Sequence, residues 1–109
     1  MLELRAHKGY YKKFIDGLSN NERAKFLRAL LLLKRSDEDE IPRHYIKYIS
    51  DGINEFRVTF GNNELRLFFF RDGDKLVILL NGFRKKTQKT PKSEIEKAKR
   101  LKKEYYGQV

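Results

Sequence analysis

The chain opens with Leu2, Leu4 and Ala6 alternating against Glu3, Arg5 and His7, a period of two that predicts a half-buried strand over residues 2–7. The next segment, YYKKFIDGL, predicts a short helix ending at Gly17. Ser19 and Glu22 stand at capping-box spacing. Behind them Ala24, Leu27, Leu30 and Leu31, with Phe26 and Leu33, recur at helical spacing to about Lys34. Ile41-Pro42 closes an acidic loop, SDEDE at 36–40, and the following RHYIKYISDG is a connector compatible with a helical turn or with extended chain. Three strands are predicted next, INEFRVTF (53–60), NELRLFFF (63–70) and KLVILLN (75–81). Gly61-Asn62 suits a type II′ turn, with a slip to Asn62-Asn63 as the alternative, and Asp72-Gly73 reads as a two-residue hairpin. Thr90-Pro91 caps a last helix with Pro at its first position, and Ile95, Ala98, Leu101 and Tyr105 form an apolar edge on an otherwise basic rod.

The first hairpin sets Arg57 directly across from Arg66, and either turn leaves both on one face, because side-chain direction has period two. Carried through the Asp72-Gly73 turn, the register predicts a core face of Phe56, Val58, Leu65, Leu67, Phe69, Leu76, Ile78 and Leu80, covered by the two early helices. The opposite face then shows Glu55, Arg57, Glu64, Arg66 and Phe68 beside Val77 and Leu79. Like charges facing each other on a sheet cost up to roughly 1 kcal/mol, so two arginines there need compensation. Glu55 and Glu64 could supply it; so could a bound anion.

Charge sharpens that choice. The 109 residues carry a formal net charge of +10, and Gly82–Val109 holds ten Lys/Arg against three Glu, or +7 of it. A polyanion or an acidic protein is the expected partner. The stretch GFRKKTQKTP (82–91) reads as a basic loop leaving the third strand, so its cations can reach the face of Arg57 and Arg66. The length suits one domain, 1–109. With no cysteine, disulfides and thiolate metal sites are excluded. The lack of a cleavable signal or a long apolar run points to a cytoplasmic protein that meets no membrane. No HExxH, EF-hand loop or nucleophile elbow occurs, so neither a metal nor a cofactor is expected.

A kit of Lys, Arg and Tyr suits metal-free RNA cleavage, in which the substrate's own 2′-hydroxyl attacks the adjacent phosphate. The protein must then orient the backbone, neutralise charge growing on the phosphorane and move two protons. Arginine serves the second task by bidentate contact with phosphate oxygens. A lysine among other cations has its pKa pushed down, and a tyrosine can also contribute.

An E-x-R strand, a second strand with arginine, an apolar strand ending in Gly-Phe and then KKTQKTP before a helix with Ala-Lys closely resemble the RelE/ParE superfamily of bacterial toxins, in its HigB-like, phage-derived branch. The match covers residues 53 to about 106 closely, and the N-terminal half by its order of elements. The resemblance implies an α+β compact domain, with two N-terminal helices packed on an antiparallel-rich twisted sheet and a basic C-terminal helix. It implies a toxin that cuts mRNA on the ribosome and an antitoxin partner, often a helix-turn-helix protein of the HigA kind. Carried over, it makes Arg57, Arg66, Lys85 and Lys86 catalytic, with Arg84, Lys89 and Lys92 on the phosphates. Tyr105 falls in the last helix, where some RelE-type enzymes place a catalytic tyrosine; Tyr106 beside it is the alternative. No histidine follows His44, so the C-terminal histidine of several HigB-type nucleases has no counterpart. Two other readings stay open: a ParE-like toxin that poisons DNA gyrase without chemistry, and a nucleic-acid or antitoxin-binding module without activity.

Overall fold

The structure is a computed structural model that describes residues 1–36, 43–86 and 89–108; most of the acidic run, 37–40, and Ile41-Pro42 lie outside the described residues. Its elements are β1 (Glu3–Ala6), α1 (Tyr10–Asp16), α2 (Asn20–Arg35), a 3-10 turn (Arg43–Tyr45), β2 (Ile46–Ser50), β3 (Ile53–Phe60), β4 (Asn63–Asp72), β5 (Leu76–Lys85) and α3 (Lys92–Tyr105). The strands form one sheet in the order β1-β5-β4-β3-β2, antiparallel except where β1 runs parallel to β5. This is the α+β architecture expected from the sequence. Among the described residues no helix is long and apolar enough to cross a membrane.

The connector proves to hold both of its options, a 3-10 turn and then β2. What makes β2 a strand is the turn behind it. Asp51 and Gly52 have φ of 52° and 76°, the two positive values that a type I′ hairpin turn requires, and Ser50 pairs with Ile53 across them. Asp72-Gly73 has the same letters and a different geometry. Asp72 pairs with Leu76, so the loop is the three residues Gly73, Asp74 and Lys75.

That extra residue inverts the predicted faces of β5. Val77 and Leu79 join Phe56, Val58, Leu65, Leu67 and Phe69 under α1 and α2, whereas Ile78 and Leu80 lie on the opposite face with Ile53, Phe68 and Phe70. The second face is not left to solvent: α3 buries Ala98 and Leu101 against it, with Ile95 and Tyr105 at the margin. Such a strand reads as a continuous apolar run, which is what Leu67–Phe70 is. Farther along, a bulge opposes Phe68 to both Leu80 and Asn81, between the pairs Phe69–Leu79 and Leu67–Gly82. It restores the side-chain phase for the last four residues of β5. Residues 82–85, expected in a loop, are therefore strand.

On α2 the inward stripe is Phe26, Ala29, Leu30 and Leu33: of the expected residues Phe26, Leu30 and Leu33 are buried, whereas Ala24, Leu27 and Leu31 are exposed. The capping box at its start is complete, Glu22 N–H donating to Ser19 Oγ (3.2 Å) and Ser19 N–H to Glu22 Oε1 (2.8 Å). α3 begins at Lys92 with Pro91 as N-cap, and no side chain caps it. The Thr90 hydroxyl donates instead to Glu55 Oε2 on β3, at 2.8 Å. Because β4 lies between β5 and β3, the chain after β5 spans β4 before α3 begins.

Candidate functional site

Three cross-strand rows end the α3-side face of the sheet. One joins Thr59, Glu64 and Lys85; the next joins Arg57, Arg66 and Phe83; the third pairs Glu55 with Phe68. α3 packs over Phe68, Phe70 and Leu80 and stops short of the first row, which borders an open groove of about 640 Å³. Asn62, Asn63, Glu64, Arg66, Arg84, Lys85 and Lys86 line it. The wall opposite the end of β5 is thus the β3–β4 turn, not the basic helix.

Arg57 and Arg66 do face each other, as the hairpin register requires, and the two are treated very differently. Arg66 is only 6 % exposed. Its Nη2 donates to Glu64 Oε2 at 3.0 Å, its Nη1 donates to the Leu65 carbonyl at 3.0 Å, and its Nε lies 3.5 Å from Glu55 Oε1. Glu55 is itself 1 % exposed. Both glutamates weighed as compensation therefore serve Arg66. Arg57, half-buried beside it, makes no hydrogen bond or ion pair among the described residues. It is a cation held against a like charge with no counter-charge of its own, so an anion bound there relieves repulsion as well as gaining contact.

Glu64 belongs to the groove as much as the cations do. The Thr59 hydroxyl donates to Glu64 Oε2 at 2.9 Å, and this bond, with that of Arg66, holds the Glu64 carboxyl below the usual carboxylate range. It is ionised at neutral pH, and Lys85 stands directly across the strands from it. Composition alone gave no reason to count an acid in a basic groove; the signal was its place in the row, two residues from Arg66.

Arg84 leaves the group. Alternation turns it to the α2 side, where its Nη2 and Nε donate to Glu22 Oε1 (2.6 Å) and Oε2 (3.2 Å), and Nη2 also to the Gly17 carbonyl (3.1 Å). Arg84 and the Ser19 backbone hold the Glu22 carboxyl at about 2. The guanidinium borders the groove with its charge already met. Lys86 and Lys92 are exposed, Lys86 on the groove and Lys92 at the start of α3. Lys89 lies exposed next to Thr90.

Tyr105 is not brought to this end. Its hydroxyl donates to Asp72 Oδ2 at 2.9 Å, and Tyr106 donates to Oδ1 of the same carboxylate at 3.0 Å. Asp72 and Arg66 are six residues apart on β4, roughly 20 Å in extended chain. The bond to Asp72 also pushes the Tyr105 hydroxyl above its ordinary value. His7 sits at that same far end, its Nε2 3.0 Å from Glu104 Oε1, and His44 is exposed against the ring of Tyr45.

The sheet thus ends in arginine and lysine steadied by buried carboxylates, on a compact α+β domain whose last helix is basic. Residues 13–103 match the family described as Phage derived protein Gp49-like, and the chain belongs to that family. It is 38 % identical over 88 residues to the protein named "Probable endoribonuclease HigB1" in two strains of Mycobacterium tuberculosis, CDC 1551 / Oshkosh and ATCC 25618 / H37Rv. Each alignment covers 81 % of this chain and 67 % of the relative. The HigB-like resemblance read from the motif at 82–91 is thereby borne out, and a family of toxin–antitoxin systems implies a cognate antitoxin as partner.

Proposed function

We propose that this chain is the toxin of a toxin–antitoxin pair, and that it is a metal-independent endoribonuclease of the cytoplasm whose substrate is mRNA on the ribosome. The observation that carries the reading is Arg57, a half-buried and unengaged guanidinium opposite the anchored Arg66 and beside the groove of Lys85 and Lys86. Arg57 binds the scissile phosphate and meets the charge that grows on it when the neighbouring 2′-hydroxyl attacks. Arg66, its charge met by Glu55 and Glu64, is the fixed neighbour against which Arg57 is positioned without reorganisation. Lys85 and Lys86 hold the backbone on either side of the cleavage point, and Lys89 and Lys92 extend the contact toward α3. The relatives' name supports the nuclease reading, and the partner that restrains it is a small helix-turn-helix antitoxin.

Induction in a bacterial host followed by primer extension on a translated transcript tests the activity. Cleavage within codons is expected from the wild type and not from Arg57→Ala, with the variant folded to the same extent. Intact transcripts in arrested cells would sink the nuclease, and a DNA-damage response without cleavage would select gyrase poisoning instead.

A further inference from the structure

β1 ends at Ala6, opposite Leu79, so the outer edge of β5 from Leu80 onward has no partner strand among the described residues. A second groove, of about 410 Å³, lies along that edge between α1 and the first turns of α3. Tyr10, Phe14, Gly82 and Phe83 contribute to its lining, and three lysines stand around it, Lys13 of α1, Lys86 after β5 and Lys97 of α3. Glu94 is the one carboxylate in its lining, and that side chain accepts from Asn81 Nδ2 at 3.0 Å. None of the three lysine side chains makes an ion pair or hydrogen bond among the described residues; that of Lys97 rests 4.9 Å over the ring of Tyr10. The two grooves share Arg84 and Lys86, so they meet across the end of β5.

We infer that the second groove is an extended single-strand RNA subsite, in which Lys13 and Lys97 bind backbone phosphates of nucleotides beyond those held by Arg57, Arg66 and Lys85. The inference rests on the nuclease reading and adds the path of the strand. A cationic track over an aromatic floor is what sequence-tolerant single-strand binding uses, since phosphates pair with lysine and bases lie on apolar rings. Lys86 at the junction passes the strand from one groove to the other. The first groove alone would hold only the nucleotides next to the cleaved bond.

The test is fluorescence anisotropy with 2′-O-methyl RNA, which cannot be cleaved, in oligomers of about three and about twelve nucleotides. For Lys13→Gln/Lys97→Gln, with an unchanged urea midpoint, the longer oligomer should bind roughly 25-fold more weakly near 0.1 M salt, with a salt slope lower by about 1.4, from two lost phosphate contacts. The shorter oligomer should bind as it does to the wild type. If this variant holds the longer oligomer normally while Arg57→Ala/Lys85→Ala does not, the second groove is overturned and the nuclease reading stands. If neither variant loses affinity, both fall. Weakened binding of oligoglutamate with RNA binding intact would reassign the groove to an acidic protein and overturn the inference.

Discussion

Glu22→Gln should destabilise the fold by about 2–3 kcal/mol at pH 7, and the size follows from what its carboxylate does. Glu22 is 2 % exposed and accepts four hydrogen bonds, from Ser19 N, Arg84 Nη2 and Nε, and Asn63 Nδ2. One side chain thus fastens the start of α2, the end of β5 and the β3–β4 turn. Holding the carboxyl at about 2 instead of 4.5 corresponds to at most ~3 kcal/mol at neutral pH. Because the Arg84 side chain is 42 % exposed, solvent screening lowers that share to ~2 kcal/mol. The amide of Gln would also set a donor against Asn63 and Arg84 Nε, a mismatch of ~1 kcal/mol in a buried site.

The folded value is depressed, so the stabilisation is fully present above about 4.5 and is lost as pH falls through about 2. Urea unfolding of wild type and variant, followed by two probes, should therefore show a gap that narrows over that window. Arg84→Met separates the ion pair from the cap, and its effect should be largely absent in the Glu22→Gln background. Ser19→Ala should cost only the ~1 kcal/mol of an ordinary cap. A gap below ~0.5 kcal/mol at pH 7 would refute the reasoning, since that is the range of surface changes away from any such feature. So would a gap that is the same at pH 7 and at pH 2.5, because it could not come from the carboxylate's charge.

The two facing arginines should part company in stability measurements. Arg57→Ala should stay within ~1 kcal/mol of wild type or exceed it, because it removes a like charge, whereas Arg66→Ala leaves Glu55 buried without a cation and should cost ~3 kcal/mol in urea unfolding. Gly82→Ala would drive its Cβ into the Phe14 ring, which already packs edge-on against Phe26, so about 1–3 kcal/mol should be lost on thermal or urea unfolding. Tyr105→Phe should lose ~1 kcal/mol of stability, from the bond to Asp72, and keep transcript cleavage at the wild-type level by primer extension.

The first hairpin was legible because Gly61 alone has positive φ in a two-residue turn, and nothing downstream could alter the Arg57–Arg66 pairing that follows. Helix α2 was legible from Ser19 and Glu22, but its face only in part: five of its last eight residues from Arg28 are apolar, and such density fits more than one stripe. β2 was left open between a helical turn and extended chain because IKYIS has mixed polarity, although Asp51-Gly52 behind it carries the letters of a type I′ turn. Asp-Gly occurs twice, once as a I′ turn and once at the start of a three-residue loop. Local composition cannot separate them; strand pairing does. Glu55 and Glu64 could be nominated as partners for the arginines from register alone, but that both would serve Arg66 and leave Arg57 open depends on Thr90 and Thr59, which approach from a crossing loop and a neighbouring strand.

Two departures from simple alternation decide which cations share the groove. The three-residue loop after Asp72 inverts the faces of residues 76–80 relative to a two-residue turn, and the bulge at Leu80-Asn81 inverts the phase again for 82–85. The two inversions cancel at the end of β5. Phe83 therefore stands in the row of Arg66, and Lys85 in the row of Glu64, while Arg84 between them must point to α2. Consecutive basic residues in a strand cannot all serve one face, so the Arg-Lys-Lys run divides its labour. Arg84 is spent on tying β5 to Glu22, which fixes the strand end; Lys85, next to it, gains its position in the groove from that same tie. The feature that composition reports as one basic stretch is thus a structural anchor followed directly by a candidate ligand, and the bulge determines which is which.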